Sequence, residues 1–119
     1  MAVVRTTSFS SGAVISNVAG RVSHLVIDQA TDGQASTTFA MLYDKATAPA
    51  GGTDTPVFVD QVETLTLGGN RGRYKIIFPG GGKRFATGIG LFVATAFNGA
   101  TGATTTAPTS VDVFFEPGN

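Results

Sequence analysis

Sixteen glycines and five prolines break this 119-residue chain into short pieces, and that punctuation constrains its fold more than any other feature. No window keeps apolar residues at i, i+3, i+4 and i+7 without a glycine or a β-branched cluster intruding, so amphipathic helices are disfavoured. Alternation with a period of two is common instead. Phe39, Met41 and Tyr43 alternate with Thr38, Ala40 and Leu42. Tyr74, Ile76 and Phe78 alternate with Arg73, Lys75 and Ile77, and Val111, Val113 and Phe115 with Asp112, Phe114 and Glu116. Ile89, Leu91 and Val93 share the face opposite Gly88, Gly90 and Phe92. Successive side chains of a strand point to opposite faces, so these segments read as half-buried strands. Weaker strand candidates cover 2–9, 12–18, 21–28 and 56–63. Turn signals separate them at Thr31-Asp32-Gly33, Gly51-Gly52, Gly68-Gly69-Asn70, Pro79-Gly80-Gly81-Gly82 and Asn98-Gly99. About eight short strands spaced by turns predict an all-β chain, an antiparallel β-sandwich or jelly roll rather than a βαβ sheet. The pattern does not give the strand order.

A chain of this length forms one domain and hides about two-thirds of its surface without a covalent staple. Residues 1–12 read as an N-terminal arm or an edge strand, with 13–119 as the sandwich domain. Val3, Val4 and Phe9 are more apolar than a purely solvated tail would keep, which makes them candidate contacts with a neighbouring subunit. Two further segments, 45–56 and 98–109, are rich in Pro, Gly, Ala and Thr and are expected to loop outside the core.

The sequence points away from catalysis and from any cofactor. It has no cysteine, so disulfides and thiolate metal sites are ruled out. Its single histidine, His24, lies inside a predicted strand, where a structural role outweighs a zinc site built with carboxylates. No G-x-S-x-G elbow supports a Ser–His–Asp triad. Pro79-Gly-Gly-Gly-Lys83-Arg84 resembles a phosphate loop only superficially. Ile77 stands where the first glycine is needed and Arg84 where Ser or Thr is needed, so a flexible hairpin connection is the expectation there. The carboxylates fall beside turns and at no calcium-loop spacing.

Charge is scarce and unevenly placed. Charged residues make up 13% of the chain, about half the usual share of roughly 25%, and eight basic residues balance eight acidic ones. So few charges give weak repulsion between free monomers, and the surface makes more sense if neighbours cover much of it. Bulk nucleic-acid binders are strongly basic, so direct nucleic-acid contact is not expected. The longest mostly apolar stretch, Ile89 to Phe97, has about half the residues of a membrane helix, so a soluble chain without membrane contact is expected. Arg71, Arg73, Lys75, Lys83 and Arg84 cluster between positions 71 and 84. They are either a solvated face that guards a sheet edge or a contact zone for an acidic partner. Tyr74 and Phe78 interleave with them, but by parity they point to the opposite face, as core residues do.

Two segments carry a resemblance. Phe39-Ala-Met-Leu-Tyr-Asp-Lys-Ala-Thr-Ala-Pro-Ala-Gly-Gly-Thr-Asp-Thr-Pro-Val57 resembles a strand ending in LYDKATAP that passes through a GTDTPV loop into the next strand. Arg84 to Ile89, RFATGI, resembles the opening of a later strand. Both are similar to small phage and prophage virion structural proteins, and together they span about a fifth of the chain. The resemblance implies a β-sandwich of the capsid decoration or cement kind. Such a protein is expected to be made in the host cytoplasm, to sit on the capsid surface as a homotrimer, and to bridge major capsid protein subunits. The alternative is a binding module of a head fibre, tail fibre or spike that contacts a host surface. The absence of tryptophan, and of any aromatic residue in 45–56 and 98–109, weighs against a sugar-stacking version of it.

Overall fold

The computed structural model describes residues 1–28, 38–62, 73–94 and 110–118. Its strands are β1 (Ala2–Thr6), β2 (Ala13–Ser16), β3 (Gly20–Asp28), β4 (Thr38–Tyr43), β5 (Phe58–Val62), β6 (Arg73–Ile77), β7 (Lys83–Phe85), β8 (Ile89–Ala94) and β9 (Ser110–Pro117). All pairings are antiparallel. One sheet has the order β1-β9-β3-β6, with β7 also paired to β3, and the other has the order β2-β8-β4-β5. The pairs nest: β1 with β9, β2 with β8, β3 with β6 and β7, β4 with β5. A long hairpin folded over in this way into two packed sheets is the winding of a jelly roll. The sequence pattern anticipated the class, and the pairing supplies the order.

β6 and β7 occupy one line along β3. Asp28 to His24 pair with Arg73 to Ile77, and Val22 to Gly20 continue the same antiparallel course with Lys83 to Phe85. Pro79 to Gly82 are therefore a detour within one strand line, and the hairpin expected there is not made. Gly80, Gly81 and Gly82 have φ of 71°, 87° and 99°, a backbone region that disfavours side chains. A Cβ at Gly82 would lie 2.6 Å from the Val22 carbonyl oxygen, so glycine is also needed there for the close approach.

A bulge sets the phase of β3. Val22 pairs with Phe115 and His24 with Phe114, leaving Ser23 as the extra residue. Val22, Leu25 and Ile27 thus all face inward although their spacing breaks strict alternation, and all three are fully buried. They meet Val111, Val113 and Phe115 of β9, Phe85 of β7, and Ile15, Ala40, Leu42, Ile89, Leu91 and Val93 of the other sheet. Phe78 packs against this core edge-to-face on Phe58, with ring centroids 4.8 Å apart. All six residues of β8 are buried, because Met41, Tyr43, Phe92 and Ala94 form a second cluster on the other face of its sheet.

Residues 2–6 form the domain's own edge strand, each paired with β9 from Ala2–Phe115 to Thr6–Val111. The arm reading does not describe this arrangement. Ala2 and Val4 pack against the core from the edge, and Phe9 lies within it at 5% exposure. Apolar groups so close to an unfilled core edge gain more by covering it than by extending into water.

Candidate interaction surface

The outer face of the five-stranded sheet is organised in rows, because directly paired residues on one face stand side by side. Val3 pairs with Phe114, Phe114 with His24, and His24 with Ile77, so one row crosses β1, β9, β3 and β6. Val3 is 49% exposed and Ile77 67%, while the two rings between them are half-buried. Phe114 and His24 stack with centroids 4.1 Å apart and planes 16° from parallel. The Ser23 hydroxyl lies 2.8 Å from His24 Nδ1 and 3.2 Å from the Phe114 carbonyl oxygen, fixing the imidazole over its neighbour. Met1, 66% exposed, reaches the same face with its sulfur 3.4 Å from the Ser23 hydroxyl. Partial burial and then the charge of Lys75 push the His24 imidazole below its usual range, so the row is uncharged at neutral pH.

Charged rows flank this apolar row. On one side run Arg5, Asp112, Val26 and Lys75, and beyond them Ser110, Asp28 and Arg73. Arg5 donates from Nε and Nη2 to the two Asp112 oxygens at 2.8 and 2.9 Å. Arg73 makes the same fork with Asp28, which also accepts from the Ser110 hydroxyl at 3.3 Å. The Arg73 guanidinium, aided by Ser110 and the charge of Arg5, holds the Asp28 carboxyl below the ordinary carboxylate range. On the other side run Glu116, Arg21 and Arg84, with the N-terminal ammonium 3.4 Å from the Glu116 carboxylate. Among the described residues the face thus carries five cationic side chains, Arg5, Arg21, Arg73, Lys75 and Arg84, against Asp28, Asp112 and Glu116. Arg21 and Lys75 form no ion pair among the described residues.

The residues singled out in the sequence separate accordingly. Val3, Arg73, Lys75 and Arg84 come together on this face. Val4 turns inward and Phe9 is core, so neither is a surface contact; the alternation of β1 and the burial of Phe9 explain both corrections. Lys83 stands opposite Val22 on the inward side of β7, half-buried, and is not part of the face. Arg71 lies outside the described residues, as does 98–109. Phe114, Ile77, Arg5 and Arg21 were missed. Arg5 and Asp112 are more than a hundred residues apart, and only the β1–β9 pairing joins them.

The segments that carry the virion-protein resemblance form one structural corner. Asp44, just after β4, accepts backbone N–H bonds from Ala86 at 3.1 Å, Thr87 at 2.8 Å and Gly88 at 3.4 Å. Partial burial works to raise its carboxyl, but the three donors outweigh that and hold it below the usual range. Lys45 Nζ donates to Asp54 at 2.6 Å, and the same Asp54 oxygen accepts from the Ala50 N–H at 2.7 Å. The 45–56 segment is thereby closed on itself rather than loose. A Cβ on Gly88 would stand 2.6 Å from the Ala46 Cα, so LYDKATAP and RFATGI meet backbone to backbone. These are scaffold contacts with no reactive group.

No family model matches the chain, and no curated protein and no solved structure proved similar to it.

Proposed function

We propose that the chain is a phage virion structural protein of the capsid decoration or cement kind, which binds major capsid protein subunits on the capsid surface and bridges them. The observation that carries this reading is the apolar row, exposed at Val3 and Ile77, across the outer face of the five-stranded sheet. Such a face suits adhesion to another protein surface, whereas chemistry on a small molecule needs a cleft with convergent polar groups. Two further points support it. The resemblance segments join in one hydrogen-bonded corner, and the jelly-roll winding is one that viral shell proteins use, although fold alone does not fix function.

The mechanism is mechanical. β9 spans about 27 Å, and four strands about 19 Å, so the face offers on the order of 500 Å² before side-chain relief. A stable complex buries about 800 Å² on each partner. One copy therefore binds modestly, and a homotrimer held over a local three-fold axis gains by engaging several subunits at once. The chain is made in the host cytoplasm and joins the shell there, without membrane or direct nucleic-acid contact.

The test is the copy number of the chain in purified virions, with the heat resistance of particles that lack it. A number that follows the count of shell subunits, and earlier rupture on its removal, are expected. A few copies confined to a tail, fibre or spike would favour the host-binding alternative, and absence from the virion would end both readings.

A further inference from the structure

We propose that the outer face of the five-stranded sheet is the docking face and that its occupant is an acidic protein surface with an apolar centre; on the cement reading, which this inference rests upon, that surface belongs to the capsid subunit. The row from Val3 to Ile77 supplies the apolar centre. Two large aliphatic side chains stand far out of a sheet at its opposite edges, where water gains nothing from them. The flanking rows supply a polar rim, the ordinary anatomy of a protein interface.

Charge decides among occupants. Although the chain as a whole is neutral, the described residues of this face carry five cationic side chains against three carboxylates, with Arg21 and Lys75 outside any ion pair among the described residues. A surplus of that sign attracts carboxylates on a partner and steers its approach. It also opposes a second copy of the chain, whose own cationic face would be brought against it. Nucleic acid fits less well. Phe114 and His24 are stacked on each other and half-buried, so neither ring is offered to a base, and the protruding groups are aliphatic. Arg5 and Arg73 are each forked onto a carboxylate of the same face, so their paired donors are already engaged and do not offer a phosphate the bidentate grip that arginine usually gives it.

Rebinding to virion shells stripped of the chain tests this. The variants are Val3→Asp, Ile77→Asp and Lys75→Glu, with Val57→Asp as control. Val57 is 46% exposed and hydrogen-bonds to Leu42 of the four-stranded sheet, so it reports a charge placed elsewhere on the molecule. All four positions are exposed, so melting temperatures should stay near that of the parent chain. The two aspartate variants on the face should bind at least about tenfold more weakly, as truncating or charging the centre of an interface does. Lys75→Glu should lose most at low salt, with the deficit narrowing as screening rises. Val57→Asp should bind normally. If the parent chain rebinds and the face variants match it, this face is not the docking face, while the cement reading stands. If the parent chain does not rebind at all, both fall. A parent chain that sediments as an oligomer, and an Ile77→Asp variant that sediments as a monomer, would assign the face to a second copy and overturn the proposal.

Discussion

Asp44→Ala gives the sharpest test of how the corner at the end of β4 is held. The carboxylate accepts from three consecutive N–H groups, and these donors differ in access to water. Ala86 and Thr87 are exposed, so water replaces the lost acceptor, whereas Gly88 is buried and its N–H would be left poorly satisfied. Hydrogen bonds to a charged acceptor contribute about 1.5–3 kcal/mol when shielded, and solvent exposure reduces that here; an orphaned buried donor adds about 1 kcal/mol. A net loss of about 1–2 kcal/mol is expected, similar to removing a helix N-cap. At about 2.1 cal/mol/K of unfolding entropy per residue, this lowers the melting temperature by about 4–8 °C. The loss should depend on pH. A carboxyl whose pKa is lowered in the folded state stabilises the fold fully above its unfolded value, about 3.9, and ceases to as pH falls through the folded value. Denaturant titrations at pH 7 and at pH 2 should therefore show a gap between parent and variant that shrinks in acid. Asp44→Asn keeps one acceptor oxygen but no charge, and should show an intermediate loss at pH 7 that also shrinks in acid, because the pH dependence belongs to the parent's carboxylate. A loss below about 0.3 kcal/mol at neutral pH, or one that is constant down to pH 2, would refute the account of the corner.

Three other outcomes are expected. Phe9→Ala, at 5% exposure in the core, should destabilise by about 3–5 kcal/mol, whereas an exposed-arm role would leave the melting temperature almost unchanged. Gly82→Ala should lower stability more than Gly81→Ala, because both need left-handed backbone but only Gly82 meets a carbonyl oxygen, 2.6 Å from its would-be Cβ; equal losses by thermal melting would contradict that. On acidification, stability should begin to fall near pH 6.5, since the lowered His24 leaves the unfolded chain binding more protons below that point, and fall again below about 3.9 as Asp28, Asp44 and Asp54 protonate. His24→Gln should abolish the first step in a pH series of denaturant curves and leave the second.

The strands that announced themselves in the sequence are those whose inward and outward faces differ. β6 and β9 alternate cleanly because one face meets the core, and both lie where the alternation put them; β4 also lies where it was expected, but both of its faces are buried, Ala40 and Leu42 in the main core and Met41 and Tyr43 in the second cluster. β3 was weaker because its bulge at Ser23 shifts the apolar positions from even to odd, so that Val22 and Leu25 share a face that strict alternation denies them. Pro79 to Gly82 misled in the other direction. Glycine and proline mark a change of course, but they do not say whether the chain returns or resumes. Here it resumes along β3, since Lys83 to Phe85 continue the line that Arg73 to Ile77 began.

The interaction face was legible only in fragments, and the reason is physical. Parity within one strand put Arg73 and Lys75 on a common side opposite Phe78, and that local inference needs nothing beyond a period of two. A row across a sheet needs strand order and register as well, and these arise from long-range pairing. Val3, Phe114, His24 and Ile77 span nearly the whole chain, and none is unusual in its own segment. A one-residue slip of β9 against β1 would turn Phe114 inward, part Arg5 from Asp112 and bring Phe115 out into water. What prevents the slip is the inner face, where Val111, Val113 and Phe115 are buried among Val22, Leu25 and Ile27. The core therefore fixes the outer row without touching it. A Val113→Ala change, which keeps the outer face chemically intact, should weaken docking only as far as it loosens that register. If it weakened docking while the fold stayed as rigid as before, the row would have to owe its arrangement to something other than the packing beneath it.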